Sequence, residues 1–425
     1  MMIDKDIEEL IKLEHDRQAK NLQMIPSENH ASRDVFDALG SILTDKYAEG
    51  YPGQRYYSGC EVVDRVENLA RDRAKKLFGV DHVNVQPYSG SPANAEVYMA
   101  LLDPGDKIMG LALTFGGHLT HGHKVSASGI FYESVQYQTG KDGLLDYEEI
   151  AKMALVEKPK MLIVGATAYP RIFDWQKLRD IADSVNAWML ADISHISGLI
   201  VGGVHPSPVG IADVIMTTTH KTLRGPRGAM IMCNGNVSTP IKKVERTKEN
   251  LPTLIDRAVF PGMQGGPHNH QTAAIAVALR EAGTEEFKQY AKQIVKNSQA
   301  LSKELTDRGF NLVTGGTDNH LLLIDVSNLG VSGKEAEDAL SKIGITVNKN
   351  TVPFDPKGPF DPSGIRLGTP AITSRGMTEE HMSLIAEWMD KAIKNKADSK
   401  ILNLLSIELE KFSLQFPLPS DKKGQ

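Results

Sequence analysis

The 425-residue chain reads as an α/β protein: a large domain with a mostly parallel sheet flanked by helices, then a smaller C-terminal α+β domain. Three observations predict this. Between about residues 60 and 275, helical periodicity alternates with short, continuous apolar runs, the pattern of strands covered on both faces by helices. After Gly283 the texture changes to a long amphipathic helix, an apolar strand and further helices. A chain of this length also outgrows one ordinary core, so two domains are expected. The expected divisions are a helical arm over 1–25, a large domain over 26–283 and a small one over 284–425.

Residues 3–20 put Ile3, Ile7, Leu10 and Ile11 on one helical face with acids in the first turn, an arm that packs on a partner subunit or on its own domain. Val62, Val66, Leu69, Ala70, Ala74 and Leu77 mark a helix stopped by Gly79. Gln86 to Asn94 reads as a loop entering a helix over 95–102, with Ser91 as cap and Pro92 at the first helical position. Strands are expected over 107–113, 161–165, 188–192, 213–216 and 229–232. In the small domain, Phe287, Ala291, Ile294, Leu301 and Leu305 line a helix ending at Gly309. A strand over 320–326, helices over 334–343 and 378–393, and a loosely held tail over 416–425 complete it. No internal repeat or low-complexity segment interrupts this order.

Composition narrows the function. An apolar fraction of 41 % and a charged fraction of 24 % belong to a folded globular chain, and a net charge of −5 gives no attraction for nucleic acid or membrane. The lysines from Lys391 to Lys400 and at Lys422 and Lys423 alternate with acids, as on a solvated surface. Two cysteines, Cys60 and Cys233, cannot build a disulfide framework. There is no apolar run of about 18 residues, and the start MMIDKDIEEL has no signal-peptide core, so a cytoplasmic protein is expected.

In open α/β sheets the ligand lies beyond the carboxyl ends of the strands. Three apolar runs end there in chemistry: the first in Gly165-Ala166-Thr167, the second in Asp192-Ile193-Ser194-His195, the third in Thr217-Thr218-Thr219-His220-Lys221. A lysine in a partly buried pocket near Arg224 and Arg227 suits a Schiff base. Pyridoxal phosphate needs such a lysine and a carboxylate on its ring nitrogen, and Asp192 supplies one. Ser89, Gly90 and Ser91 at a helix start offer a phosphate seat. Neither GxGxxG nor GxxxxGK[ST] occurs, which weakens nucleotide readings. The histidines His118, His121 and His123 lack a metal motif, and His118 after two glycines is placed to stack on a flat ring; no metal is expected. His268 and His270 are equally weak as ligands, while Gly262, Gly265 and Gly266 before them suggest a close backbone approach. Arg366, between Gly364 and Gly368, offers a fork for a carboxylate.

Nine segments together resemble serine hydroxymethyltransferase over nearly the whole chain: PSENHAS (26–32), DKYAEGYPGQRYYSGC (45–60), VQPYSGSPAN (85–94), GGHLTHG (116–122), ADISHISGL (191–199), TTTHKTLRGPRG (217–228), VFPGMQGGP (259–267), GGTDNHLLLID (315–325) and SGIRLGTPAIT (363–373). The resemblance implies the aspartate aminotransferase-like fold type I and a reversible exchange of serine and tetrahydrofolate with glycine and methylenetetrahydrofolate. It implies pyridoxal phosphate on Lys221, with Asp192 at the ring nitrogen, His118 on the ring face, and Thr167 and His195 on the ring hydroxyl side. Ser89, Gly90 and Ser91 would hold the phosphate, joined by Tyr47, Gly265 and Gly266 from a partner subunit, so the active unit would be a homodimer with shared sites. Arg366 would take the substrate carboxylate, with Ser27, Tyr57 and His195 around it. Glu49 would be the acid–base group, and His220 would set reaction specificity. Leu113, Gly117, Leu119, Asn350, Gly358, Pro359 and Phe360 would line the folate site.

The chain departs from the family pattern at Tyr88, often histidine; at Thr167, often serine; at Ile193-Ser194 in place of Met-Ala; at Ala229 in place of glycine; and at Gly358 in place of serine. Gly358 alone touches function, since it removes a hydroxyl from the folate pocket. Two rival readings are a folate-independent aldolase, or hydroxymethyltransferase for an α-methylated amino acid, on the same fold, and a binding protein that kept the fold without the activity. Lys221, Asp192, His118 and Arg366 argue against the second.

Overall fold

Seven strands build the central sheet of the unit Asp34–Ala291, and five of them are the apolar runs of the sequence. They are β1 (His82–Asn84), β2 (Lys107–Leu111), β3 (Glu133–Tyr137), β4 (Met161–Val164), β5 (Trp188–Asp192), β6 (Val214–Thr218) and β7 (Ala229–Cys233). Their order is β1-β7-β6-β5-β4-β2-β3; β2 to β6 run parallel, and β7 is antiparallel to both β6 and β1. The sheet is therefore mostly parallel, as the apolar runs predict. The two strands not anticipated, β1 and β3, are its edges, where one neighbour is missing and no continuous apolar run is needed. The computed structural model describes residues 4–235 and 245–421, so Ile3, Lys422 and Lys423 lie outside the described residues.

Two helices of this unit correct the sequence reading. The helix Gly90–Leu101 starts earlier than expected, with Ser89 rather than Ser91 at its cap. It packs on the sheet through Ala93, Val97 and Leu101, in one cluster with Leu190, Met216 and Ile231, and that packing sets where its first turn lies. The helix Glu61–Phe78 ends at left-handed Gly79 as predicted, but its buried stripe is Val63, Glu67, Ala70, Ala74 and Phe78. Val62 and Leu69, expected inside, are 61 % and 45 % exposed. Two apolar stripes lie side by side on this helix, and Glu67 belongs to the inner one because it is paired with Arg55.

The second unit joins Met1–Arg33 to Lys292–Gln425. Its antiparallel sheet runs Asn311–Leu312, Leu321–Asp325, Gly364–Gly368, Asn348–Asn350. The N-terminal residues, expected as a separate arm, are tied into this unit. Leu22–Gln23 pairs in parallel with Ile345–Thr346. Buried Arg375 donates to the carbonyls of Gln18, Ala19 and Asn21 on one side and of Ser413 and Phe416 on the other. One guanidinium thus satisfies the orphan carbonyls at two helix ends, those of Lys5–Lys20 and Ser399–Ser413. The second of these helices was not anticipated, and its buried Leu402, Leu405 and Leu409 have plain helical spacing. The tail expected to be loose is held through Phe416 and buried Leu418 as far as Asp421. Helix Lys5–Lys20 buries none of its residues; Ile7, Leu10, Ile11 and Leu13 are all exposed.

Candidate active site

Adjacent parallel strands β4, β5 and β6 bring their carboxyl ends to one edge, and β5 and β6 are in register at Asp192 and Met216. Gly165 follows β4, and a Cβ there would stand 2.4 Å from the Asp192 carbonyl oxygen, so only glycine admits this approach. Beyond β6 the chain turns so that Lys221 Nζ donates to Thr218 Oγ1 at 2.9 Å.

Asp192 is the electrostatic centre of this edge. Its Oδ2 accepts from His121 Nε2 at 3.0 Å and Asn94 Nδ2 at 3.1 Å, and its Oδ1 from the Ser194 amide at 3.1 Å. Burial alone would raise this carboxyl, but the bonds from His121 and Ser194 and the nearby imidazoles outweigh it and hold it well below the usual carboxylate range. Asn94 spends its second donor on Thr120 Oγ1 at 2.9 Å, and that hydroxyl lies 2.7 Å from His118 Nδ1. The Thr120 amide also donates to Nδ1 at 3.2 Å, which assigns the ring proton of His118 to Nε2. Burial, reinforced by His121 and Lys221, pushes His118 down to about 4, so it is a neutral flat ring at pH 7. Burial and then Lys221 and Arg227 likewise lower His220 to about 3, and its Nδ1 has no partner among the described residues. His195 is 5 % exposed, and Thr167 Oγ1 donates to the carbonyls of Gly116 and Gly117.

A second cluster lies in the same unit. Tyr47 and Tyr57 meet edge to face at 5.1 Å, and Tyr47 Oη donates to Glu49 Oε1 at 3.3 Å. Cβ atoms on Gly265 and Gly266 would stand 3.0 Å from Glu49 Oε1 and from the Tyr47 ring. Tyr88, the neighbour of Ser89, donates to the Gly266 carbonyl at 2.7 Å and stacks on His268 at 4.0 Å. Leu113, Gly117 and Leu119 sit around the 3₁₀ turn Leu113–Phe115 and the loop after it.

The remaining candidates belong to the other unit. Arg366 lies mid-strand, donates from Nε to Asn348 Oδ1 at 3.0 Å, and is lowered to about 10 by burial. Ser27 follows Pro26, which lies against Gly368 at 3.0 Å from the place of a Cβ, so it sits at the end of the Arg366 strand. Asn350 donates to the Thr351 carbonyl at 2.7 Å, and Phe360 is 86 % exposed.

A family model described as serine hydroxymethyltransferase matches residues 1–389. The chain belongs to the serine hydroxymethyltransferase family. Curated relatives called serine hydroxymethyltransferase agree: one from Desulfotalea psychrophila is 55 % identical over 98 % of this chain and 95 % of its own length. Those from Acidothermus cellulolyticus and Sorangium cellulosum are 54 % and 53 % identical, each over 98 % of this chain and 96 % of the relative. As a member of the serine hydroxymethyltransferase family it is a pyridoxal-phosphate-dependent transferase of one-carbon units with tetrahydrofolate as co-substrate.

The residues present fit that cofactor. The first-turn amides of Gly90–Leu101 and the Ser89 and Ser91 hydroxyls suit a phosphate, the ionised Asp192 suits a pyridinium nitrogen, and a neutral imidazole suits a ring face. For a serine hydroxymethyltransferase the sequence reading omitted three side chains: His121, Asn94 and Thr120. Each bonds to Asp192 or His118, and all three stand in the quoted segments VQPYSGSPAN and GGHLTHG without a role having been read for them.

Proposed function

We propose that this enzyme transfers the hydroxymethyl carbon of serine to tetrahydrofolate through the edge formed by Lys221, Asp192 and His118. The observation that carries the reading is Asp192, ionised under three hydrogen bonds at the strand end beside the one that leads to Lys221. Pyridoxal phosphate supplies the electron sink for the charge left on the amino-acid carbon when its bond to the hydroxymethyl group breaks. Lys221 would hold the cofactor, with its Nζ oriented by the hydrogen bond to Thr218. His118 would offer the ring a neutral face, and Thr167 and His195 would serve its hydroxyl side. Ser89, Gly90 and Ser91 bind the phosphate.

Arg366 would take the serine carboxylate, aided by Ser27, Tyr57 and His195, and so orient the amino acid for cleavage. Glu49 holds the proton of the departing oxygen, and His220 tunes specificity. Leu113, Gly117, Leu119, Asn350, Pro359 and Phe360 line the folate site, where Gly358 has open space around its Cβ position. The enzyme works as a homodimer in which Tyr47, Gly265 and Gly266 complete the partner's phosphate seat. The exposed stripe of Val62 and Leu69 and the exposed face of Ile7, Leu10, Ile11 and Leu13 support that assembly. A cytoplasmic location is supported by two unpaired cysteines and, among the described residues, no helix long and apolar enough to cross a membrane.

Borohydride reduction of the holoenzyme followed by peptide mapping tests the assignment. The cofactor label is expected on Lys221, and Lys221→Ala is expected to lose both the label and glycine formation from serine. A label on another lysine would overturn it. Rates with and without tetrahydrofolate separate this activity from a folate-independent aldolase.

A further inference from the structure

We propose that Arg55 is a positioning residue for Glu49, gripping the backbone on both sides of it; this rests on the assignment of Glu49 above. Arg55 and Glu67 are 3 % and 5 % exposed in their side chains, and Asp64 completes the setting. Arg55 Nε donates to Asp64 Oδ1 at 2.8 Å and Nη2 to Glu67 Oε2 at 2.7 Å. With the fork locked by two carboxylates, Nη1 points at the main chain. It donates to the Ala48 carbonyl at 2.9 Å and to the Gly50 carbonyl at 2.6 Å.

The carbonyl between these two, that of Glu49 itself, accepts from the Tyr56 amide at 3.0 Å. Gln86 Nε2 adds a second donor to the Gly50 carbonyl at 3.0 Å while also reaching Glu67. Gly50 has φ +97°, and a Cβ there would meet the Gln54 carbonyl at 2.4 Å, so the turn after Glu49 admits one conformation. Three successive carbonyls are therefore tied down, all from one hairpin and one buried strand-end glutamine. The Glu49 side chain, half-buried and bonded to Tyr47, projects from a fixed base. Lysine could not reproduce this, because a single ammonium lacks the planar fork that reaches both carboxylates and both carbonyls.

A purely structural salt bridge would lower stability and every reaction alike. A positioning device instead separates the step that needs Glu49 from the chemistry that does not. The test uses the holoenzyme with Arg55→Lys, Gln86→Met and Glu49→Gln. It measures kcat and KM for tetrahydrofolate-dependent serine cleavage, glycine α-proton exchange without folate, and the cofactor absorbance. Arg55→Lys is expected to lower the folate-dependent kcat by about 10- to 100-fold, since displacement of about 1 Å costs that much. Serine KM and glycine exchange should stay within about twofold. Gln86→Met, which keeps Arg55, should lose about three- to tenfold in the same kcat, and it carries the test if Arg55→Lys does not fold. Parallel loss of both rates, or no loss in either while Glu49→Gln is crippled, would overturn the positioning of Glu49 by Arg55. Full folate-dependent turnover in Glu49→Gln would instead remove Glu49 from its own assignment, and the clamp's purpose with it.

Discussion

Glu96 gives a measurable pH dependence of stability. It lies in the helix Gly90–Leu101 with 0 % exposure, and neither carboxyl oxygen has a partner among the described residues. Burial raises it from its ordinary 4.5 to about 8. Below pH 4.5 the acid is protonated whether the chain is folded or not, so its full contribution is present there. As the pH rises toward 8, the unfolded chain releases the proton while the folded chain keeps it. Stability then falls by about 1.4 kcal/mol per pH unit and levels off above the folded value.

Glu96→Gln removes the titration and keeps the shape. Between pH 5.5 and 8 the variant should gain on the parent by about 3 kcal/mol, two and a half units at that slope. An unfolding entropy near 0.9 kcal/mol/K for a chain of this size turns this into about 3 °C in Tm. Scanning calorimetry of both holoenzymes, in excess pyridoxal phosphate across that range, reads the difference directly and cancels any pH effect they share. A gap in Tm that does not change with pH would refute the reasoning, because it would mean the carboxyl finds a partner or a charge in the folded chain.

Two further substitutions probe the site. His121→Phe removes one hydrogen bond to a buried charge, worth about 1.5–3 kcal/mol, so Asp192 should rise and cofactor affinity fall about 10- to 100-fold by absorbance titration. Arg366→Ala should raise the KM for serine by about 100-fold while the borohydride label on Lys221 is retained; an unchanged KM would assign the carboxylate elsewhere.

Much of the site could be read in the sequence because strand ends in a parallel sheet are announced twice, by an apolar run and by the polar residues that close it. Asp192, Lys221 and Thr167 were singled out in that way, and the structure places them at or just beyond the ends of β5, β6 and β4. Arg55 and Glu67 were not, since nothing local says that an acid in the middle of an amphipathic helix points inward; its partner lies twelve residues away across a hairpin. The same blindness exchanged Val63 for Val62 on the inner stripe of that helix. His121 and Asn94 were passed over because each matters only through a carboxylate some seventy or more residues distant.

What the sequence determined by itself was everything governed by short range: which runs are buried strands, where glycine ends a helix, and which family motifs stand in order. What only the tertiary structure decided was pairing and protonation. Residues 4–33 join the C-terminal unit because Ile345–Thr346 and Arg375 satisfy backbone groups that the segment leaves open. His118 stays neutral because it is buried, whereas Asp192 stays charged despite its burial because His121 and Ser194 donate to it, so burial together with specific donors, rather than residue type, sets which form is favoured.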